Sequence, residues 1–282
     1  MTQRVAVIGA GGKMGSRAVS NLLKTDYELL VSEKGEAGIT RLRERNLENI
    51  ASAQAASLAD MVILAVPDAL IGQVSRELAP HARPGTTFVM LDPAAAFVGE
   101  VAIREDLNYV VCHPCHPALF KEQSSAEARR DYFGGVAAVQ DIVMALLHGC
   151  EEAFERARAL LCCVFAPVEK VHRITVKQMA ILEPAMAEVV AAAAACLMRD
   201  AMEEAIKAGV PREATEAFML GHARIPLAIV FGAVDAPFSD AAKIAIEWGT
   251  KICFRPDWRK VFQPSMIRAV IHQMLHPGEQ QA

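Results

Sequence analysis

No block of lysines and arginines long enough to track a phosphate backbone interrupts this 282-residue chain, whose formal charge is -4. Nucleic acid is therefore not an expected partner. The longest uncharged apolar run is Val189 to Met198. It falls short of the roughly 18 residues that a membrane span needs, so it reads as a buried helix and no membrane partner is expected. The N-terminal stretch MTQRVAVIGAGG lacks the apolar core and small-residue cleavage site of a secretory signal. The seven cysteines are an odd number, and Cys162 and Cys163 are adjacent. A disulfide framework is excluded, and a reducing, cytoplasmic setting is expected. Internal repeats and low-complexity linkers are absent as well. What is present is apolar material: 53% hydrophobic against 22% charged residues, enough for two packed cores.

The first part of the chain alternates. Arg4–Ile8, Tyr27–Ser32, Met61–Val66, Thr86–Leu91 and Tyr109–Cys112 read as short strands, and Met14–Leu23 as a helix. MVILAV is continuously apolar, as a strand covered on both faces should be. Strands alternating with helices predict an α/β Rossmann domain, a doubly wound parallel sheet, over residues 1–149. After Gly149 the strand signal fades. Segments 151–165, 175–208, 214–220 and 240–253 read as helices, so an all-α domain for substrate binding and dimerisation is expected over 150–282. Gly209-Val210-Pro211 stops its longest helix.

The cofactor signal is Gly9-Ala10-Gly11-Gly12-Lys13-Met14-Gly15, set between the first strand and the first helix. Glycines allow the tight turn and let backbone N–H groups approach a pyrophosphate, to which the helix N-terminus adds partial positive charge. Met14 breaks G-x-G-x-x-G; the run fits G-x-x-G-x-x-G instead. Glu33 closes the second strand about 20 residues on. A carboxylate there accepts hydrogen bonds from both adenosine ribose hydroxyls and repels a 2′-phosphate, which selects NAD. Val66, Pro67 and Asp68 end the third strand over the cofactor; Asp68 also reads as a helix N-cap.

Two constellations carry candidate chemistry. Cys112-His113-Pro114-Cys115-His116-Pro117 lies at a strand's carboxyl end, where reacting groups gather in open α/β sheets. C-x-x-C redox chemistry lacks its usual fold context here, and a structural zinc lacks a second Cys/His pair. His113, with His116 beside it, is left as acid/base or metal ligand, set against a proline-stiffened surface loop. In Lys177-Gln178-Met179-Ala180-Ile181-Leu182-Glu183-Pro184, the proline should kink or restart a helix and leave Glu183 among apolar residues. That suits a catalytic or metal-bound carboxylate, or an acidic residue favoured by the helix dipole. Lys177 is a weaker catalytic candidate. His222 and Arg224, beside Pro226, are candidates for substrate binding, as are Arg255 and Arg259; surface charge explains each equally well.

GAGGKMG, MVILAVPD, the HPCHP strand end and the helical second half together resemble the β-hydroxyacid dehydrogenase superfamily. The helical part looks like the 6-phosphogluconate dehydrogenase C-terminal type. GGVAAVQDIVMALLHG, ILEPAMAE and GHARIPLAIVFG resemble, more narrowly, its oxidoisomerases of branched sugar acids. One departure stands out: the catalytic lysine of ordinary members is closely followed by asparagine, whereas Lys177 is not.

The resemblance implies NAD-dependent oxidation at C2 of a branched sugar acid. A 1,2 shift of the carboxylate would follow, giving a 3-oxo product. A divalent metal held by His113 and Glu183 would suit that chemistry as a Lewis acid, and the resemblance further implies a homodimer. The alternative is a plain NAD-dependent β-hydroxyacid dehydrogenase, with or without decarboxylation.

Overall fold

The computed structural model describes residues 2–278. The chain forms two compact units. One runs through Ala180 and resumes at Arg268; the other is Ile181–Ile267.

The first unit is built on a seven-stranded sheet of β1 (Arg4–Ile8), β2 (Glu28–Ser32), β3 (Met61–Leu64), β4 (Thr87–Met90), β5 (Asn108–His116), β6 (Gln140–His148) and β7 (Val168–Arg173), in the order β2-β1-β3-β4-β5-β6-β7. The first five strands are parallel. β6 runs antiparallel to β5, and β7 parallel to β6. Around the sheet lie α1 (Lys13–Leu22), α2 (Glu36–Glu44), α3 (Ser52–Leu58), α4 (Asp68–Leu78), α5 (Ala94–Val98), α6 (Glu151–Val164) and α7 (Val176–Ala180). All four residues of β3 are buried, because a parallel strand in the middle of such a sheet has apolar cover on both faces. The core joins Val5, Val7, Ile63, Val89 and Val110 to the inner faces of α1 and α6.

The sheet is larger than the sequence predicts. β6, α6 and β7 all belong to it, so the expected boundary at 149/150 falls inside this unit. β5 also continues past Cys112 through Pro114 to His116, with a register shift between Pro114 and His116. A proline has no N–H to give to a ladder, and an irregularity is the usual accommodation.

The second unit contains a π-helix (Ile181–Ala192), α8 (Ala193–Lys207), α9 (Arg212–Val230), α10 (Asp240–Cys253) and the start of α11 (Pro264–Leu275). Pro184 does not restart the helix. The chain is helical from Val176 to Lys207, and over Ile181–Ala192 the helix takes the wider π spacing, which accommodates a residue that cannot donate to the i−4 carbonyl. Pro226 likewise sits inside a continuous α9. The expectation of a buried helix is corrected. Within Val176–Lys207, the most apolar 18-residue window has a mean hydropathy of 1.7, yet only 11% of it is buried within the chain. By length and composition alone this stretch could cross a membrane.

Candidate active site

The strand order reverses between β1 and β3, and a crevice opens at that switch point above the carboxyl ends of the strands. The glycine loop fills one wall. Gly9 N and Ala10 N both donate to Ser32 O, at 2.8 and 3.1 Å, which ties the loop to the end of β2. Gly9 has φ of +83°, and a Cβ there would meet Ala65 O at 2.4 Å; one on Gly15 would meet Gly9 O at 2.0 Å. Those glycines are required by the fold itself. Gly12 differs. It has an ordinary φ of -71°, and a Cβ on it would meet Gly9 O at 3.2 Å, a milder crowding than at Gly9 or Gly15. It stands at the start of α1, where the first helical N–H groups have no partner within the helix. The cradle fits a pyrophosphate.

Gly9, Gly12, Glu33, Val66 and Pro67 line this cleft, together with Lys34, Leu70, Gln73 and Glu77. Ala10, Gly11 and Gly15 are buried beneath it. The Glu33 carboxylate accepts from three backbone amides: Gly11 N through Oε2, and Lys34 N and Gly35 N through Oε1, each at 2.9 Å. This is possible because Gly11 and Gly38 pack backbone to backbone; a Cβ on Gly11 would lie 2.4 Å from Gly38 Cα. A carboxylate offers about four acceptor positions. The expectation that Glu33 serves both ribose hydroxyls is thus revised, since three positions are already taken. Asp68 is exposed in the first turn of α4, whose N-cap is Pro67. It is not the cap.

Lys13 and Met14 face a second feature, the β5–β6 connection. Lys13 Nζ lies 4.1 Å from the centre of the Phe133 ring, and the Arg17 guanidinium 4.9 Å from it. Asn21 donates to Gly135 O at 2.8 Å, and Asp131 Oδ2 accepts from the N–H groups of Val136, Ala137 and Ala138. The connection is thereby fastened to α1. Phe133 and Arg17 carry no motif and were invisible in the sequence.

The HPCHP strand end builds the rest. His113 Nδ1 lies 2.9 Å from Leu91 O, at the end of β4. A carbonyl can only accept, so Nδ1 carries the hydrogen and Nε2 keeps its lone pair. Asp92 Oδ2 is 4.0 Å from the same nitrogen, while Asp92 Oδ1 accepts from Ala94 N at 2.7 Å. Burial pushes the His113 pKa down to about 4, and His116 lowers it further; only the Leu91 carbonyl opposes them. His113 is therefore neutral at pH 7, with the Nε2 lone pair free of a proton. His116 holds the left-handed conformation, φ +60°, which costs a non-glycine residue energy and is a common mark of functional positions. Its Nδ1 is 2.9 Å from Phe133 O, and its ring centre is 6.2 Å from that of His113. Asp92 is the residue that sequence reasoning missed here; its signal was Leu91-Asp92-Pro93, closing a strand beside the HPCHP end. Cys112 is fully buried and Cys115 has a raised pKa of about 11, so both thiols stay protonated.

The remaining candidates lie elsewhere. Lys177 is exposed on α7. Glu183 is half-buried in the π-helix of the second unit. His222 is exposed on α9, stacked at 3.7 Å on Phe218, with Nδ1 bonded to the Phe218 carbonyl. Arg224 is exposed on the same helix. Arg255 pairs with Asp257, and Arg259 lies over Trp258. Among the described residues no three His, Cys, Asp or Glu side chains converge in a way that could hold a metal ion.

Comparison with known proteins agrees with this geometry. The family model for the phosphogluconate dehydrogenase (decarboxylating) C-terminal domain matches residues 121–275. That for coenzyme F420-dependent NADP oxidoreductases matches residues 4–91. D-apionate oxidoisomerase of Cupriavidus necator is 46% identical over 97% of this chain and 100% of its own length. That of Blautia hydrogenotrophica is 40% identical over 98% of each. A crystal structure of a semialdehyde dehydrogenase NAD-binding protein from Cupriavidus necator, in complex with calcium and NAD, superposes with a TM-score of 0.94 at 45% identity, covering 97% of this chain and 100% of that one. An NADH-preferring ketol-acid reductoisomerase from an uncultured archaeon shares the fold, at TM-score 0.71 and 17% identity over 97% of this chain and 82% of that one. On this full-length similarity, the chain belongs to the D-apionate oxidoisomerase family.

Proposed function

We propose that this protein is an NAD-dependent oxidoisomerase that converts D-apionate to 3-oxo-isoapionate. The observation that carries the reading is similarity to D-apionate oxidoisomerases along essentially the whole chain. What makes it chemically able is a neutral His113 at the carboxyl edge of a sheet that also bears a dinucleotide cradle. Bound NAD supplies the acceptor for the hydride leaving C2. The glycine loop and the start of α1 hold the pyrophosphate, and Val66 and Pro67 wall the adenosine side. His113 Nε2 takes the proton of the C2 hydroxyl as the ketone forms, and Asp92 with the Leu91 carbonyl holds the ring in the tautomer this requires.

The subsequent 1,2 shift leaves a carbonyl at C3. Electron balance sets its direction. The migrating group departs, with its bonding pair, from the carbon whose hydroxyl becomes the new carbonyl. It is therefore a C3 substituent that moves to C2, where the sequence-based expectation named the carboxylate on C2. The protonated His113 returns its proton to the C2 oxygen, and the proton of the C3 hydroxyl leaves to solvent as the net H+ of the NAD-linked oxidation.

Lys177, Glu183, His222 and Arg224 remain part of the reading as groups that contact substrate, with Glu183 foremost. The expected divalent cation is retained for its chemistry alone. A neutral imidazole and a carboxylate are suitable donors, and calcium accompanies NAD in the Cupriavidus structure; a cation on His113 would occupy the Nε2 lone pair, so metal ligand and proton acceptor are alternative roles of that one nitrogen.

A homodimer is the natural cover for the second unit. Phe218, Leu220, Ile244, Trp248 and Ile252 are each at least 65% exposed, more apolar surface than a stable monomer shows. Glu183 and Glu188 lie within the apolar stretch, and carboxylates are costly in a bilayer core, so a second copy suits it better than a membrane. Seven cysteines, all free thiols, fit a cytoplasmic setting.

The test is NADH formation with D-apionate, followed by carbon NMR of the product. A rearranged 3-oxo product is expected. An unrearranged or decarboxylated keto acid would make the protein a plain β-hydroxyacid dehydrogenase.

A further inference from the structure

The charged groups lining the cofactor cleft are Glu33, Lys34 and Glu77. Acid at the Glu33 position is ordinarily credited with the whole choice of NAD over NADP. Here that carboxylate is surrounded by three amide N–H groups, whose dipoles offset much of its charge. It also stands next to Lys34, whose side chain is 78% exposed and is the cation that a 2′-phosphate would recruit. Glu33 alone is a weak barrier to NADP.

The neighbouring helix supplies what is missing. Glu77 Oε2, on α4, is 3.4 Å from Lys34 Nζ, and Glu77 Oε1 accepts from Gln73 Nε2 at 2.8 Å. Gln73 and Glu77 are one turn apart on α4 and both line the cleft. One oxygen of Glu77 is thus held by its own helix while the other faces the lysine. The Gln73 hydrogen bond, with Lys34 adding to it, holds the Glu77 pKa below its ordinary value, so the carboxylate is ionised at pH 7. The ion pair is solvent-exposed and contributes little to stability. Its position at the cleft is what matters.

We propose that Glu77, positioned by Gln73, is a second determinant of cofactor choice: it engages Lys34 and so denies a 2′-phosphate the one cation that lines the cleft among the described residues. The inference rests on the NAD reading of this cleft and deepens it.

The test compares binding of NAD and NADP to the purified protein by isothermal titration calorimetry. 5′-ADP and 2′,5′-ADP serve as probes that lack the nicotinamide half. Glu77→Gln should tighten NADP relative to NAD by about tenfold, the scale of one unit charge removed at close range in partly screened surroundings, and 2′,5′-ADP should tighten likewise against 5′-ADP. Adding Lys34→Met to Glu77→Gln should erase the gain, because the gain passes through the lysine. An NADP-to-NAD affinity ratio unmoved by Glu77→Gln overturns the proposal, as does a gain that survives Lys34→Met. A wild-type protein that binds NADP and not NAD would overturn the underlying cofactor reading together with the proposal. Wild-type NAD binding with an unmoved ratio would overturn the proposal alone.

Discussion

The two units bury their apolar residues very differently. In the sheet unit Val5, Ala6 and Val7 of β1 and all of β3 are inaccessible, and α1 and α6 each press several side chains onto the sheet. In the unit Ile181–Ile267 the buried residues are Pro184, Ala185, Thr215 and Ile267, while α8 and α10 contain none. The sheet unit is complete as a single chain. The helical unit carries apolar faces that are left exposed among the described residues. A parallel sheet must be sheathed by its own crossover helices, so its order is built in; a helix pair can leave its best face for another copy. The cofactor cleft and the proposed base His113 accordingly sit on the sheet unit, and Glu183, proposed to act on substrate, on the other.

Substituting the proposed base should have the largest effect. His113→Ala is expected to lower kcat by about 10²–10⁴-fold, the usual worth of a positioned general base, with the NAD affinity retained. Near-normal turnover would remove His113 from the mechanism. Glu183→Gln should likewise abolish turnover and spare NAD binding; if it does not, the chemistry belongs to the sheet unit alone.

Next come the loop glycines. Gly15→Ala forces a Cβ to within 2.0 Å of Gly9 O and should destabilise the sheet unit by about 2–4 kcal/mol, in the range of strained or overpacked substitutions. Gly12→Ala, whose Cβ would meet Gly9 O at 3.2 Å, should cost less stability than Gly15→Ala and lose dinucleotide affinity. Equal melting temperatures for the two variants would refute the distinction between a fold-required glycine and a ligand-required one.

Charge on the uncovered helical face is the third lever. Trp248→Glu should convert a dimer to a monomer in light scattering while the isolated cofactor site still binds NAD. A wild-type protein that is monomeric at micromolar concentration would leave the exposed face unexplained.

The smallest effect is on pH. The folded-state pKa of His113, about 4, lies below the ordinary 6.5. Above pH 6.5 the residue is neutral in both folded and unfolded states and contributes nothing. As pH falls from 6.5 towards 4, the unfolded chain takes up a proton that the folded one refuses, and stability declines across that window. The same depression keeps the base deprotonated, so the acid limb of kcat/KM should fall near pH 4 to 5 instead of near 6.5. Melting curves of the wild type and His113→Gln should converge above pH 6.5 and separate below it, with the wild type losing more.

Much of this was legible in residue order. β1 to β4 and their glycine loop were readable because buried parallel strands are continuously apolar and a pyrophosphate turn needs glycine at set places. β7 was not. Val168–Arg173 is mostly exposed and half charged, an edge strand recognisable only by its pairing with β6. The extension of β5 through His-Pro-Cys-His was hidden because that tetrapeptide reads as a loop. His113 could be named from the strand end; its tautomer and depressed pKa could not, since the first is set by the Leu91 carbonyl at the end of a neighbouring strand and the second chiefly by burial.

By itself, then, the sequence determined the periodicities, the glycine turn and the residue types available at the sheet edge, all of which are local properties of the chain. Only the tertiary structure decided that Glu33 is already engaged by backbone amides, that Glu77 stands over Lys34, and that Pro184 is absorbed into a π-helix. Hydrogen-bond capacity and dielectric surroundings depend on how the backbone turns and on atoms distant along the chain, such as Gly11 N at Glu33 and Leu91 O at His113, and residue order alone does not supply them.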